Sequence, residues 1–218
     1  MTLQHCLAIA FLLLVTPAAA QAAEYREFHK ALEPIAKLRD LKYLVQTVKV
    51  APRDPAMKPE SVVLTIRSRT GPIRIAAGPE GAIDIPVTKA LYDENPPVES
   101  NAPPGTLGLS VALDVRAPPV QRFEYKLVMD MKADWEEAVR RQNFVWRTLA
   151  PSAKSAVVVF APGAKATAEV KLPSGTRTLG VDSSGQIQLP FDEEWRKANP
   201  AIVLSEMPTR IGLDFHKK

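Results

Sequence analysis

The chain is nearly without sulfur nucleophiles and has little imidazole. Its 218 residues hold one cysteine, Cys6, and three histidines, His5, His29 and His216. Cys6 lies in an N-terminal stretch that reads as a secretory signal, so the chain left after cleavage forms no disulfide, no thiol nucleophile and no cysteine zinc site. Catalysis by nucleophile and base usually draws on a histidine. His29 falls on an amphipathic helical pattern and is expected at an exposed or boundary position, and His216 in a frayed tail. The patterns G-x-S-x-G, H-E-x-x-H and the phosphate loop are absent, so a serine triad, a zincin site and a P-loop have no support.

Charge is missing from the start of the chain. No Lys, Arg, Asp or Glu precedes Glu24, residues 6–15 form an apolar run, and Ala20-Gln21-Ala22 supplies the A-x-A pattern that signal peptidase reads. The run is about half the length of a bilayer-spanning helix. The expected organisation is a signal peptide over residues 1–22, a first repeat domain over 23–117 and a second over 118–218, in a periplasmic or secreted protein. The n-region offers only the terminal amine and His5, which leaves an uncleaved anchor as the competing reading. The formal charge of +4 stays wholly with the chain after cleavage. It leans toward anionic envelope components such as phospholipid headgroups or acidic polysaccharide. No Lys/Arg run exceeds two and no basic-aromatic stripe is present, so nucleic acid is not expected.

What the sequence does contain is self-similarity. Residues 66–111 lie on 170–215 without a gap, with identity at Gly71/Gly175, Gly81/Gly185, Ile83/Ile187, Pro86/Pro190, Asn95/Asn199, Pro96/Pro200, Pro104/Pro208, Gly108/Gly212 and Leu109/Leu213. Most of these residues fix backbone shape. Further upstream, Val48-Lys49-Val50-Ala51-Pro52 resembles Val158-Val159-Phe160-Ala161-Pro162, which gives the first copy a longer loop, residues 53–59.

The patterns predict a helix over 24–40 interrupted by Pro34, and strands over 43–50, 61–67 and 72–77. Alternating Ala82-Ile83-Asp84-Ile85-Pro86 and Gln186-Ile187-Gln188-Leu189-Pro190 predict paired strands stopped by proline. Short helices follow over 87–94 and 191–198, with Thr88 and Asp192 as N-caps and Asn95 and Asn199 as the ends. Closing strands are expected over 107–115 and 210–215, an extra strand over 123–131, and a helix over 132–149 as counterpart of the N-terminal one. The fold class is α+β: two tandem repeats, each a small, mainly antiparallel sheet with a packed helix and a short helix. Two β-sandwich modules are the alternative.

Candidate chemistry is thin. Glu136/Glu137 and Asp192/Glu193/Glu194 are adjacent acids that point different ways, and the second group is suited to a helix start. Asn95/Asn199 read as a cap and breaker, Asp182-Ser183-Ser184-Gly185-Gln186 as a polar turn resembling part of a calcium loop, and Trp135, Trp146 and Trp195 as core. The stiff, Pro-rich segments 53–59 and 95–105 are candidate recognition loops or plain connectors. No catalytic, metal or cofactor-binding residue is assigned. The expected function is a non-catalytic binding or accessory module of the envelope whose partner is an envelope protein or an anionic envelope polymer. The alternative is a carboxylate-dependent glycan hydrolase with its site between the repeats.

Overall fold

The computed structural model describes residues 8–9, 23–103 and 105–215. Most of the expected signal, including Cys6 and Ala20-Gln21-Ala22, lies outside these residues, as do His5, His216 and the Pro104 member of the Pro104/Pro208 pair. In chain order the elements are β1 (Ala8–Ile9), β2 (Ala23–Glu24), α1 (Tyr25–Ala36), β3 (Leu44–Pro52), β4 (Val63–Ser68), β5 (Gly71–Ala76), β6 (Ala82–Ile83), α2 (Lys89–Glu94), β7 (Pro97–Ser100), β8 (Leu107–Ala117) and β9 (Arg122–Glu124). They continue as α3 (Lys126–Arg140), α4 (Phe144–Leu149), β10 (Ala153–Val159), β11 (Thr167–Leu172), β12 (Gly175–Gly180), β13 (Gln186–Pro190), α5 (Glu193–Ala198), β14 (Ala201–Leu204) and β15 (Arg210–Phe215). Every strand pairing given for the described residues is antiparallel. The fold is α+β and mostly β.

The chain forms two compact units. Of the described residues, 8–9, 23–40 and 46–113 belong to the first and 41–45 and 114–215 to the second, so the chain passes from one to the other after Asp40, within β3 and within β8. The first unit holds a four-stranded sheet in the order β2-β7-β4-β5, together with the pair β3 and β6. Alternation along β4 buries Leu64 and Ile66 on one face, where Tyr25, Leu32, Val50, Ile83, Leu91 and Val98 join them in one apolar core. α1 continues two residues past Pro34 and ends at Ala36.

The second unit holds a four-stranded sheet in the order β12-β11-β14-β9, and β10 lies between β13 and β15. Its registers follow those of the first unit. Val63 pairs with Ala76 and Thr167 with Gly180, Leu64 with Ser100 and Ala168 with Leu204, a shift of 104 on every strand. Val48 pairs with Ile83 and Val158 with Ile187, where the first strand of the pair has shifted by 110. Ala23 pairs with Val98 and Phe123 with Ile202, so the strand that opens each unit has shifted by 100.

Three expectations are corrected here. The extra strand over 123–131 is a strand only to Glu124. From Lys126 the chain is helical, because Val128, Met131, Trp135 and Ala138 recur at helical spacing and are all buried. The helix in the place of α1 is therefore α3, which begins at Lys126, and the expected single helix over 132–149 is the end of α3 followed by the separate α4. The Pro-rich segment 95–105 is not a plain loop either. Pro97–Ser100 is a strand between β2 and β4 that buries Val98, and Pro97 is tolerated as its first residue.

Two turn glycines at matching positions differ in what surrounds them. Gly81 and Gly185 have φ of 78° and 75°, a conformation that disfavours any side chain. A Cβ at Gly81 would also lie 2.5 Å from the Val50 carbonyl oxygen and 2.8 Å from Pro59 Cβ, whereas one at Gly185 would meet nothing within 4 Å. Gly185→Ala is expected to cost about 1–2 kcal/mol for backbone strain alone. Gly81→Ala adds overpacking and is expected to cost about 2–4 kcal/mol. Urea unfolding of the two variants checks this, and equal losses would refute the packing argument.

Candidate functional site

The polar side chains at matching places in the two units are engaged in holding backbone. α2 starts at Thr88, whose hydroxyl accepts the Leu91 N–H at 3.3 Å, and α5 starts at Asp192, whose carboxylate accepts the Trp195 N–H at 3.0 Å. Each short helix ends on an asparagine in the left-handed region, Asn95 at φ 51° and Asn199 at φ 43°, which Asn tolerates better than most residues. Asn95 Oδ1 accepts the Arg26 N–H at 3.0 Å, and Asn199 Oδ1 accepts the Lys126 N–H at 2.7 Å. Their Nδ2 groups donate to the carboxylates of Glu24 and Glu124 at 3.0 and 2.9 Å. Both ends of each amide are thus occupied.

A tyrosine completes the arrangement. Tyr25 and Tyr125 have no exposed surface. Their hydroxyls donate to the carbonyls of Pro86 and Pro190, and accept from the Thr88 N–H at 3.3 Å and the Asp192 N–H at 2.9 Å. Their own N–H groups donate to the carbonyls of Pro96 and Pro200 at 3.1 and 3.0 Å. Burial pushes both phenols above their ordinary pKa.

The carboxylates are engaged as well. Glu136 pairs with Lys132, while Glu137 accepts from Arg140 at 2.6 Å and from Arg141 at 2.8 Å. Those guanidinium hydrogen bonds hold the Glu137 carboxyl below its usual pKa, and the hydrogen bond from Arg196 does the same for Glu193. A glycosidase acid needs the opposite shift. Glu194 accepts from the Ser174 hydroxyl at 3.2 Å. Asp182 Oδ1 accepts the Ser184 hydroxyl at 2.6 Å, the Ser184 N–H at 2.9 Å and the Gln186 N–H at 3.1 Å, so it closes a turn. The Ser184 hydrogen bond is the main cause of its lowered pKa. Among the described residues no group of three or more His, Cys, Asp or Glu is disposed to hold a metal.

His29 is half-buried, with ring centroids 6.0 Å from Tyr25 and 4.8 Å from Tyr92. Its Nδ1 is buried with no hydrogen-bond partner among the described residues. Trp135 and Trp195 are core residues, and Trp135 Nε1 donates to the Pro151 carbonyl at 3.1 Å. Trp146 is only half-buried.

Trp146 belongs to the region where the units differ most. From Arg26 to Val48, β3's partner of Ile83, the chain advances 22 residues; from Lys126 to Val158, the matching partner of Ile187, it advances 32. The longer path accommodates the last turn of α3 and all of α4. Asn143 Oδ1 caps α4 by accepting the Trp146 N–H at 3.0 Å. Phe144 is 74% exposed, Val145 62% and Leu149 71%. At about 100° per residue these three share an arc of about 140° on the helix. Left in water, each forgoes on the order of 1.5–3 kcal/mol of burial.

In sequence, the segment that holds α4 is basic. Residues 138–168 contain Arg140, Arg141, Arg147, Lys154 and Lys165 and no Asp or Glu, an excess larger than the whole chain's +4. Arg140 and Arg141 are bound to Glu137, but Arg147 and Lys154 are exposed and carry no ion pair among the described residues. Sequence reasoning missed this feature because it looked for runs of basic residues. The usable signal was the 31-residue gap between Glu137 and Glu169.

No family model, curated protein or solved structure matches the chain.

Two outcomes follow from the geometry. Tyr125→Phe leaves the Pro190 carbonyl and the Asp192 N–H without their partner and is expected to cost about 2–4 kcal/mol in urea unfolding; a loss near zero would show that the hydroxyl does not hold the turn. Glu137, whose folded pKa is lowered, adds stability that is present above the unfolded value of about 4.3 and is lost as pH falls through the folded one. Glu137→Gln is therefore expected to be less stable than the parent at neutral pH, with the gap closing in acid. Thermal melts across pH check this, and a gap independent of pH would contradict it.

Proposed function

We propose that the chain is a non-catalytic binding or accessory module of the cell envelope, periplasmic or secreted. It is a tandem duplication that binds through α4 and the acid-free segment around it. The partner is an envelope protein or an anionic envelope component, whether polymer or phospholipid headgroups. The observation that carries this reading is the exposure of Phe144, Val145 and Leu149 on one arc of a helix in a segment with five basic residues and no acid. Exposed apolar side chains gathered in one place mark interaction sites more often than singly scattered ones.

The duplication is supported by the shared registers and by the matching Tyr25/Tyr125 and Asn95/Asn199 hydrogen bonds. Residues shared by the copies serve backbone geometry, so binding belongs where the copies diverge, and α4 lies there. The glycan hydrolase reading has no comparable support, since Glu137 and Glu193 are held in the charged state needed least by a general acid.

A photo-reactive amino acid placed at position 149, with position 176 on the exposed strand β12 as control, tests the assignment in intact cells. The expected result is a discrete adduct from position 149 and none from 176. Equal labelling from both positions, or none from either, would sink the proposal.

A further inference from the structure

We infer that α4 is an interfacial anchor for an anionic phospholipid bilayer: Phe144, Val145 and Leu149 enter the boundary between headgroups and acyl chains while Arg147 and Lys154 stay at the level of the phosphates. The inference rests on the reading of α4 as the binding surface and names what it binds.

Three properties of the segment select this partner. The exposed side chains are large and apolar, and a hydrated polysaccharide has no apolar phase to receive them, whereas the acyl boundary does. Residues 138–168 carry five basic residues and no acid; Arg140 and Arg141 are held by Glu137, and the exposed Arg147 and Lys154 suit an extended plane of anionic headgroups. Part of the backbone at α4 is satisfied within the chain. The Trp146 N–H is satisfied by Asn143 Oδ1, the Arg147 N–H by the Asn143 carbonyl at 3.0 Å and the Ala150 N–H by the Trp146 carbonyl at 2.8 Å. Unpaired N–H groups would oppose entry into the boundary. No helix among the described residues is long and apolar enough to cross a membrane, so the contact is one of lying on the surface.

Co-sedimentation of the purified protein tests the inference. The probes are vesicles of phosphatidylcholine with phosphatidylglycerol, vesicles of phosphatidylcholine alone, and soluble alginate as an acidic polysaccharide, at about 0.1 M salt, where charges still act over about 10 Å. The parent is expected to sediment with the anionic vesicles and far less with the neutral ones. Replacing Phe144, Val145 and Leu149 together by serine is expected to reduce binding to the anionic vesicles at least tenfold. Arg147→Glu is expected to reduce it roughly tenfold or more. Because all four side chains are exposed, circular dichroism should show both variants folded, and if the triple variant is not, Arg147→Glu alone carries the test. The inference is overturned if the parent stays in the supernatant with anionic vesicles, or if these variants sediment as the parent does. Binding to alginate that depends on Arg147 but not on Phe144 or Leu149 would overturn the lipid inference and keep the binding-surface reading. No binding to any probe, together with no adduct from position 149, would overturn both.

Discussion

In each unit one buried phenolic hydroxyl serves two backbone groups that neither strand nor helix satisfies. The Pro190 carbonyl sits where β13 stops and the Pro86 carbonyl three residues past the end of β6, and the Thr88 and Asp192 N–H groups sit where a helix starts. A buried polar group without a partner costs about 1–3 kcal/mol, comparable to a large share of a domain's net stability. The tyrosine removes that cost twice over while its ring fills the core. The asparagine at the far end of the short helix ties the same tyrosine's helix from the other side, through the N–H of the next residue. Long helix, short helix and the strand after Pro96 or Pro200 are thereby fixed to one another by a handful of bonds.

This arrangement explains why the recurring residues are poor candidates for chemistry. An amide whose oxygen and nitrogen both hold other groups of the chain is fixed in place as a structural tie, and a carboxylate bridged by two guanidiniums is a poor acid. Segments outside the fixed framework are under no such constraint. α4 is one of them. It extends from the end of α3 on a path ten residues longer than its counterpart, and it exposes side chains that the core does not claim.

The framework was legible in the sequence because its residues are ones whose backbone behaviour is distinctive. Gly, Pro and Asn at a constant spacing announced the turns, and Thr88 and Asp192 announced the helix starts. The shift in spacing around Val48 and Val158 was also readable, and the strand registers reproduce it. What could not be read was the choice between periods in a short segment. Residues 123–131 alternate at first as a strand would, and only Trp135 and Ala138, further on, complete the helical stripe that decides the matter. The strand at Pro97–Ser100 was hidden by its prolines, although Ala201–Leu204 at the matching place is plainly β-forming. α4 escaped notice because exposure is a property of the folded chain, and no local pattern in Phe144–Leu149 distinguishes a helix turned outward from one turned inward.

The unequal lengths of the two units bear on how such a fold accommodates change. The first unit has the longer path between β3 and β4, the second the longer path from the start of α3 to β10, and yet the strand registers beyond these segments coincide. Closing a longer loop costs little, about 0.6 kcal/mol per doubling of its length. The two connections are therefore variable joints in a rigid frame, places where new chain can be spliced in without disturbing the hydrogen bonds on either side. Two units whose strands keep the same registers can in this way present different surfaces.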